Sequence, residues 1–194
     1  HHTYVFCGDG DLMEGISHEA CSYAGTHRLN KLIVLYDDND ISIDGEVAGW
    51  FTDDTAKRFE SYGWHVIPKI DGHNEEAVDA AITEAKLSDK PTLICCKTII
   101  GKGSPNKAGT AGVHGAALGE EEVLLTRKNL NWSFDTFEIP DEAYSGWNQE
   151  KKGAEKENAW ELLVKKYKEK YPEEFQLFDR LSKGELPSEF DSTI

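Results

Sequence analysis

An α/β fold, with a mostly parallel sheet flanked by helices, is the expectation from three observations. Short β-rich runs alternate with segments of helical period through the first two-thirds of the chain. Two of those runs, Leu32-Ile33-Val34-Leu35 and Leu93-Ile94-Cys95-Cys96, are apolar without alternation, as strands covered on both faces are. From Pro140 onward no strand pattern recurs and charge density rises, so a helical extension follows a single core.

Taken in order, Tyr4 to Cys7 reads as a strand and Met13 to Ala24 as a helix with Ile16, Ala20, Tyr23 and Ala24 on one face. Leu32 to Tyr36 is the second strand, Thr55 to Tyr62 a short helix and Trp64 to Ile67 a third strand. Glu75 to Lys86 repeats Val78, Ala81, Ile82 and Ala85 at helical spacing, and Thr92 to Thr98 is the fourth strand. Glu155 to Tyr171 reads as a helix that Pro172 stops. Its aromatic residues Trp160, Tyr167 and Tyr171 are expected to pack the extension on the sheet domain or on a missing neighbour. Lys183 to Ile194, polar and carrying Gly184 and Pro187, reads as a linker. The expected division is residues 1–139 as the sheet domain and 140–194 as extension and linker.

The 194 residues suit one domain of ordinary size plus that extension. A formal net charge of −15 argues against nucleic acid and against anionic lipid as partners, because both need a basic surface. A phosphate-bearing ligand must then be held locally, by a metal or by backbone amides. No apolar run approaches the roughly 20 residues of a membrane span, and the beginning lacks the apolar core of a signal peptide. Cys7, Cys21, Cys95 and Cys96 include no C-x-x-C spacing and read as small apolar residues in a reducing, cytoplasmic compartment.

Gly8-Asp9-Gly10 follows the first strand and precedes the first helix. In an open parallel sheet this places Asp9 at the carboxyl edge, where such folds bind ligands, although small residues at a strand-to-helix turn are also common for conformational reasons. The second strand runs into Asp37-Asp38-Asn39-Asp40-Ile41, and neighbouring parallel strands end at one edge, which directs the Asn39 side chain towards Asp9. Carboxylate, amide and peptide oxygens suit Mg²⁺ or Ca²⁺, and Mg²⁺ characteristically completes its shell with phosphate oxygens and water. Two other motifs fit poorly. Asp40-x-Ser42-x-Asp44-Gly45 begins like an EF-hand loop but has Phe51 where a bidentate glutamate is required, and Gly101-Lys102-Gly103-Ser104 lacks the leading glycine of a nucleotide P-loop.

Gly8-Asp9-Gly10 with the downstream Asn39 resembles the thiamine-diphosphate motif, and the text around it is similar to transketolase. The stretches that carry the likeness are Gly8 to Glu19, Asp37 to Gly45, Gly49-Trp50-Phe51, Tyr62-Gly63-Trp64, Lys97 to Ser104, Asn106 to Thr110 and His114-Gly115-Ala116. The chain departs from the family pattern at Ala117, where many members have proline, and in the loop Ala111-Gly112-Val113.

The resemblance implies the thiamine-diphosphate-binding fold and the transfer of a two-carbon ketol unit from a ketose phosphate to an aldose phosphate, a step of the pentose phosphate pathway. It implies thiamine diphosphate and Mg²⁺ as cofactors, with Ca²⁺ a possible substitute, sugar phosphates as substrates and a homodimeric full-length protein. By it Asp9, the Asn39 side chain and the Ile41 carbonyl ligate the metal, and Gly10 approaches the diphosphate. Glu14 lies near the subunit interface, and His114 reaches cofactor and substrate at the reacting centre. The pyrimidine-binding domain and the segment before the first strand would lie outside this chain, which alone is expected to be inactive. The alternatives are a non-catalytic module that binds metal and diphosphate, or a related enzyme such as deoxyxylulose-phosphate synthase or dihydroxyacetone synthase.

Overall fold

In the computed structural model, residues 1–43, 45–188 and 190 are described, and the chain divides into two compact units, His1–Ser133 and Phe134–Ile194. The first unit is built on four strands, β1 (Thr3–Gly8), β2 (Leu32–Asp38), β5 (His65–Asp71) and β6 (Thr92–Lys97). All pair in parallel, in the order β1-β2-β6-β5. A two-stranded antiparallel turn, β3 (Ile41–Ser42) with β4 (Gly45–Glu46), interrupts the connection after β2.

Parallel pairing needs crossovers, and the helices supply them: α1 (Asp9–Met13) and α2 (Gly15–Thr26) between β1 and β2, α3 (Thr55–Ser61) before β5, and α4 (Glu75–Ala85) between β5 and β6. Strand alternation then sorts the core into two layers. Val34, Tyr36, Leu93 and Cys95 point to one face, with Leu12, Ala24, Phe59 and Trp64. Ile33, Leu35, Ile94 and Cys96 point to the other, with Ile67, Ala81 and Ala85. That double coverage is why β2 and β6 show no alternation of polarity. β1 lies at the sheet edge, and Tyr4, Val5 and Phe6 are exposed there.

Several boundaries differ from the sequence expectation. The helix expected from Met13 to Ala24 is two helices, because Glu14 takes an extended conformation (φ −68°, ψ 136°) between them. At the break the Ser17 hydroxyl donates to the Asp11 carbonyl at 2.6 Å, satisfying a group that the helix no longer uses fully. Trp64 precedes β5 and Thr98 follows β6. Helix α4 starts where Asn74 accepts from the Ala77 N–H at 3.1 Å. Asn74→Ala removes this cap and is expected to cost about 1 kcal/mol, read from thermal unfolding.

Before the second unit, α5 (Glu120–Asn129) closes the first. The second unit holds α6 (Asp141–Trp147), α7 (Glu150–Lys170) and α8 (Pro172–Lys183). Pro172 ends one helix and opens the next at its N-terminal position, where a missing N–H is harmless. Within the extension, Trp160 and Tyr167 of α7 meet Phe178 of α8 at 6.4 and 6.5 Å between ring centres. Of the expected linker, Lys183 ends α8 and Gly184 caps it with left-handed backbone. Glu189 and residues 191–194 lie outside the described residues.

Candidate diphosphate and metal site

Strand register brings the acidic residues to one edge: Gly8 pairs with Asp37, Asp37 with Cys96, and Asp38 with Lys97. This is the carboxyl edge, from which α1 leaves. Asp9, the first residue of α1, is only 3% exposed. The Tyr36 hydroxyl donates to its Oδ1, whereas its Oδ2 is buried and has no hydrogen-bond partner among the described residues. Burial raises the Asp9 carboxyl above the usual carboxylate range. The Tyr36 hydrogen bond opposes that rise, the charges of Asp38 and Asp40 reinforce it, and the Asn39 backbone amide pulls it down. Tyr36 in turn is pushed well up, by burial first and then by Asp9.

The loop after β2 is held by its own side chains. Asn39 Nδ2 donates to Asp37 Oδ2 at 3.0 Å, and Asn39 Oδ1 accepts from the Ile41 N–H at 2.9 Å. These two bonds fix the amide orientation and leave Oδ1 a second lone pair. Asp40 adopts left-handed backbone (φ 61°), and its carbonyl accepts from the Val47 N–H at 3.0 Å, closing the β3–β4 turn. Lys97 bridges Asp38, at 3.2 Å, and Asp40. Of the calcium-loop pattern, Asp40 is thus engaged by Lys97, and Asp44 lies outside the described residues.

Asp9, Tyr36, Asp38, Asp40, Asp53 and Asp54 line a cavity of about 270 Å³. Asn39, Ile41 and Gly109 line a second cavity of about 470 Å³, which shares Asp40, Val47 and Phe51 with the first. Among the described residues no three His, Cys, Asp or Glu side chains gather as a metal centre. A cation here would draw on the amide, the carbonyl and the oxygens of its own ligand, which is how Mg²⁺ binds with phosphates. The donor chemistry fits that role in two ways. Among the described residues Asp9 keeps a buried oxygen without a protein partner, and a Cβ at Gly10 would meet nothing within 4 Å, so the backbone there stands open to a close ligand.

Two other residues singled out are exposed. Glu14 is exposed at the break between α1 and α2. His114 is exposed beyond a 3₁₀ turn, Ala111–Val113. No hydrogen bond among the described residues joins either side chain to Asp9 or Asn39. Four further histidines have structural neighbours: His18 meets Tyr62 and Arg58, His27 meets the Tyr23 ring, His65 meets Glu84, and His73 accepts from the Ile99 N–H. Burial pushes Cys7 and Cys95 up to about 12 and Cys96 up to about 11, so these thiols stay protonated at neutral pH and serve as apolar filling.

Sequence reasoning missed Tyr36 and Arg58. A tyrosine near the end of an apolar strand is a signal in itself, since its hydroxyl needs a partner when buried. Arg58 donates to Asp53 at 2.9 Å and to the Leu12 carbonyl at 3.1 Å, tying the end of α1 to the loop that lines the Asp9 cavity.

Comparison with known proteins decides the family. The description "Transketolase, thiamine diphosphate binding domain" matches residues 1–187. The chain belongs to that family. It is 60% identical over 191 residues to Transketolase 2 of Vibrio vulnificus and 58% identical over 193 residues to Transketolase 1 of Escherichia coli. These alignments cover 98% and 99% of this chain but 29% of each relative, so the chain spans under a third of their length. Among solved structures, transketolase from Leishmania mexicana superposes with a TM-score of 0.91 at 39% identity, over 100% of this chain and 29% of that one. Transketolase from Pichia stipitis in complex with sedoheptulose 7-phosphate superposes with a TM-score of 0.88 at 41% identity, over 98% of this chain and 29% of that one. The parallel sheet with flanking helices is therefore the family's fold. Among the described residues no helix is long and apolar enough to cross a membrane.

Proposed function

We propose that this chain is the part of a transketolase that holds the diphosphate of thiamine diphosphate through a divalent metal. One observation carries the reading: Asp9 is buried at the carboxyl edge of the sheet with an oxygen that no protein group among the described residues satisfies. Burying a carboxylate in this way is costly unless a cation completes it. Asp9, Asn39 Oδ1 and the Ile41 carbonyl would hold the metal, which we assign as Mg²⁺ with Ca²⁺ as substitute, and the Gly10 backbone would admit the diphosphate. When bound, the cofactor supplies the carbanion chemistry that moves a two-carbon ketol unit from a ketose phosphate to an aldose phosphate.

The protein's own contributions are positional. Tyr36 orients the Asp9 carboxylate, Asp37 orients the Asn39 amide, and His114 is assigned to hold a proton at the substrate. Glu14, exposed between α1 and α2, is assigned to the subunit interface of a cytoplasmic homodimer working in the pentose phosphate pathway. Residues 1–139 form the cofactor domain in this reading, and 140–194 lead towards a pyrimidine-binding domain. Turnover belongs to the full-length protein and not to this chain alone.

Calorimetric titration of the full-length protein with thiamine diphosphate, in Mg²⁺, Ca²⁺ and EDTA, tests the assignment. Binding is expected with either metal and not in EDTA, and Asn39→Ala is expected to weaken it by at least about tenfold, on the scale of perturbed metal sites. Cofactor binding indifferent to EDTA and to Asn39→Ala would overturn it. Ca²⁺ binding that ignores the cofactor would overturn it in favour of an isolated calcium loop.

A further inference from the structure

Glu122 is the one carboxylate of the first turn of α5 that turns inward, for Glu120 and Glu121 are exposed while Glu122 is 7% exposed. It accepts three hydrogen bonds from the loop after β6. The Ser104 hydroxyl and the Asn106 N–H (2.9 Å) reach Oε1, and Asn106 Nδ2 reaches Oε2 at 2.9 Å. Those donors hold its carboxyl below the usual carboxylate range, the Ser104 hydroxyl most of all. Ser104, itself buried, accepts from the Lys107 N–H at 3.1 Å. At the other end of α5, Asn129 donates to the Gly103 carbonyl at 2.9 Å. Helix α5 therefore grips residues 103–107 at both of its ends.

From that base a loop rises and returns. Lys107 Nζ donates to the Leu118 carbonyl at 2.7 Å, which ties together the two feet of residues 108–117. Inside the loop the Gly109 N–H donates to the Ile100 carbonyl at 2.8 Å, and the Thr110 hydroxyl donates to the Lys107 carbonyl at 2.7 Å. His114 sits within this loop and is exposed, so packing around the imidazole does little to place it. A surface loop needs no buried carboxylate with three donors merely to stay folded; three bonds to one ionised group make a rigid foundation.

We propose that Glu122 is a positioning residue that, through Ser104, Asn106 and Lys107, fixes the loop carrying His114. The proposal rests on the reading of His114 as the residue at the reacting centre. It adds that the aim of the imidazole is determined at the foot of the loop, by a carboxylate on a different element.

The test is steady-state kinetics of ketol transfer by the full-length holoenzyme, normalised to the folded, cofactor-loaded fraction. Glu122→Gln keeps one accepting oxygen and turns an N–H₂ towards Asn106 Nδ2. It is expected to lower kcat by about 10- to 100-fold, the cost of displacing a catalytic group by around an ångström. Combining Glu122→Gln with Asn106→Asp lets the introduced amide donate to a carboxylate, and the pair is expected to recover most of kcat. In a His114→Ala background, Glu122→Gln is expected to cost nothing further, because residues that act as a unit are not additive. Should Glu122→Gln fail to fold, Asn106→Ala is read in the same cycle. Full kcat in Glu122→Gln, no recovery in the swapped pair, or additive losses with His114→Ala would each overturn the proposal. An unchanged kcat in His114→Ala alone would overturn the reading of His114 beneath it.

Discussion

Asp9→Asn is expected to abolish metal-dependent binding of thiamine diphosphate while leaving the ligand-free protein more stable. The substitution keeps the shape of the side chain and an oxygen to accept from Tyr36. It removes a negative charge that is buried, that has one oxygen without a partner among the described residues, and that faces the charges of Asp38 and Asp40. The amide nitrogen that replaces Oδ2 is still a buried polar group, so the gain comes from removing the charge alone and is roughly 1 kcal/mol, the low end of the usual cost of such a group. In thermal unfolding that is a rise of roughly 2–4 °C for a chain of this size. Loss of an anionic metal ligand acts the other way on the holo form. Outer-shell changes already weaken metal sites by about 10- to 100-fold, so removal of the carboxylate should exceed about 100-fold. The native protein should gain about 2.7 kcal/mol of stability at cofactor concentrations of about 100 times Kd, and the variant should gain none. An apo form less stable than native, or a ligand-induced rise equal to the native one, would sink the assignment of Asp9 as a metal ligand.

Position in the fold explains which parts of the candidate site were legible in the sequence. The placement of Asp9 and Asn39 at the carboxyl edge was readable because each follows a strand, and adjacent parallel strands deliver their ends to one edge whatever lies between. β2 and β6 were readable because burial on both faces erases alternation. The β3–β4 turn was not, since two-residue strands carry no period; the left-handed Asp40 and the Asp40–Val47 bond that define it leave little trace in composition. Helix α1 escaped for a similar reason: its five residues are too few for an apolar stripe, and the Glu14 break depends on the Ser17–Asp11 bond. The contacts of Arg58 and Glu122 were invisible in the sequence because their partners, Leu12 and Ser104, lie on elements that only the fold brings near. A charged residue looks the same in sequence whether it is solvated or buried against three donors. Pro172 shows the converse, for the residue that ends α7 also begins α8, and the sequence rule for stopping a helix concealed the rule for starting one.

The largest loss of stability is expected from Gly25→Ala, a change that touches neither cavity. Gly25 lies in the last turn of α2, where the helix crosses the turn between α3 and β5. A Cβ there would overlap the Tyr62 carbonyl oxygen and stand 2.8 Å from its carbon and 3.1 Å from Trp64 Cδ1. Two of these three atoms are backbone, so no rotamer change relieves the clash, and α2 must move away from β5. Movement at this point also strains the 2.8 Å bond from Trp64 Nε1 to the Cys21 carbonyl and the packing of Trp64 on Phe59, 5.0 Å between ring centres. Overpacking usually costs about 1–3 kcal/mol, and an overlap with backbone belongs at or above about 3 kcal/mol. The midpoint of thermal unfolding should fall by roughly 6–12 °C. Gly15→Ala in the same helix is the control, because a Cβ there meets nothing within 4 Å and alanine favours a helix over glycine by up to about 1 kcal/mol. If the two substitutions shift unfolding alike, close approach of α2 to the Tyr62–Gly63 turn is not what holds this layer of the core. If Gly25→Ala alone collapses the transition while Gly15→Ala leaves it level or raises it, the contact is confirmed as the point where the helix carrying His18 and Cys21 is fixed against the sheet. Only Glu14 separates α2 from α1, so the same contact then bears on the stretch that begins with Asp9.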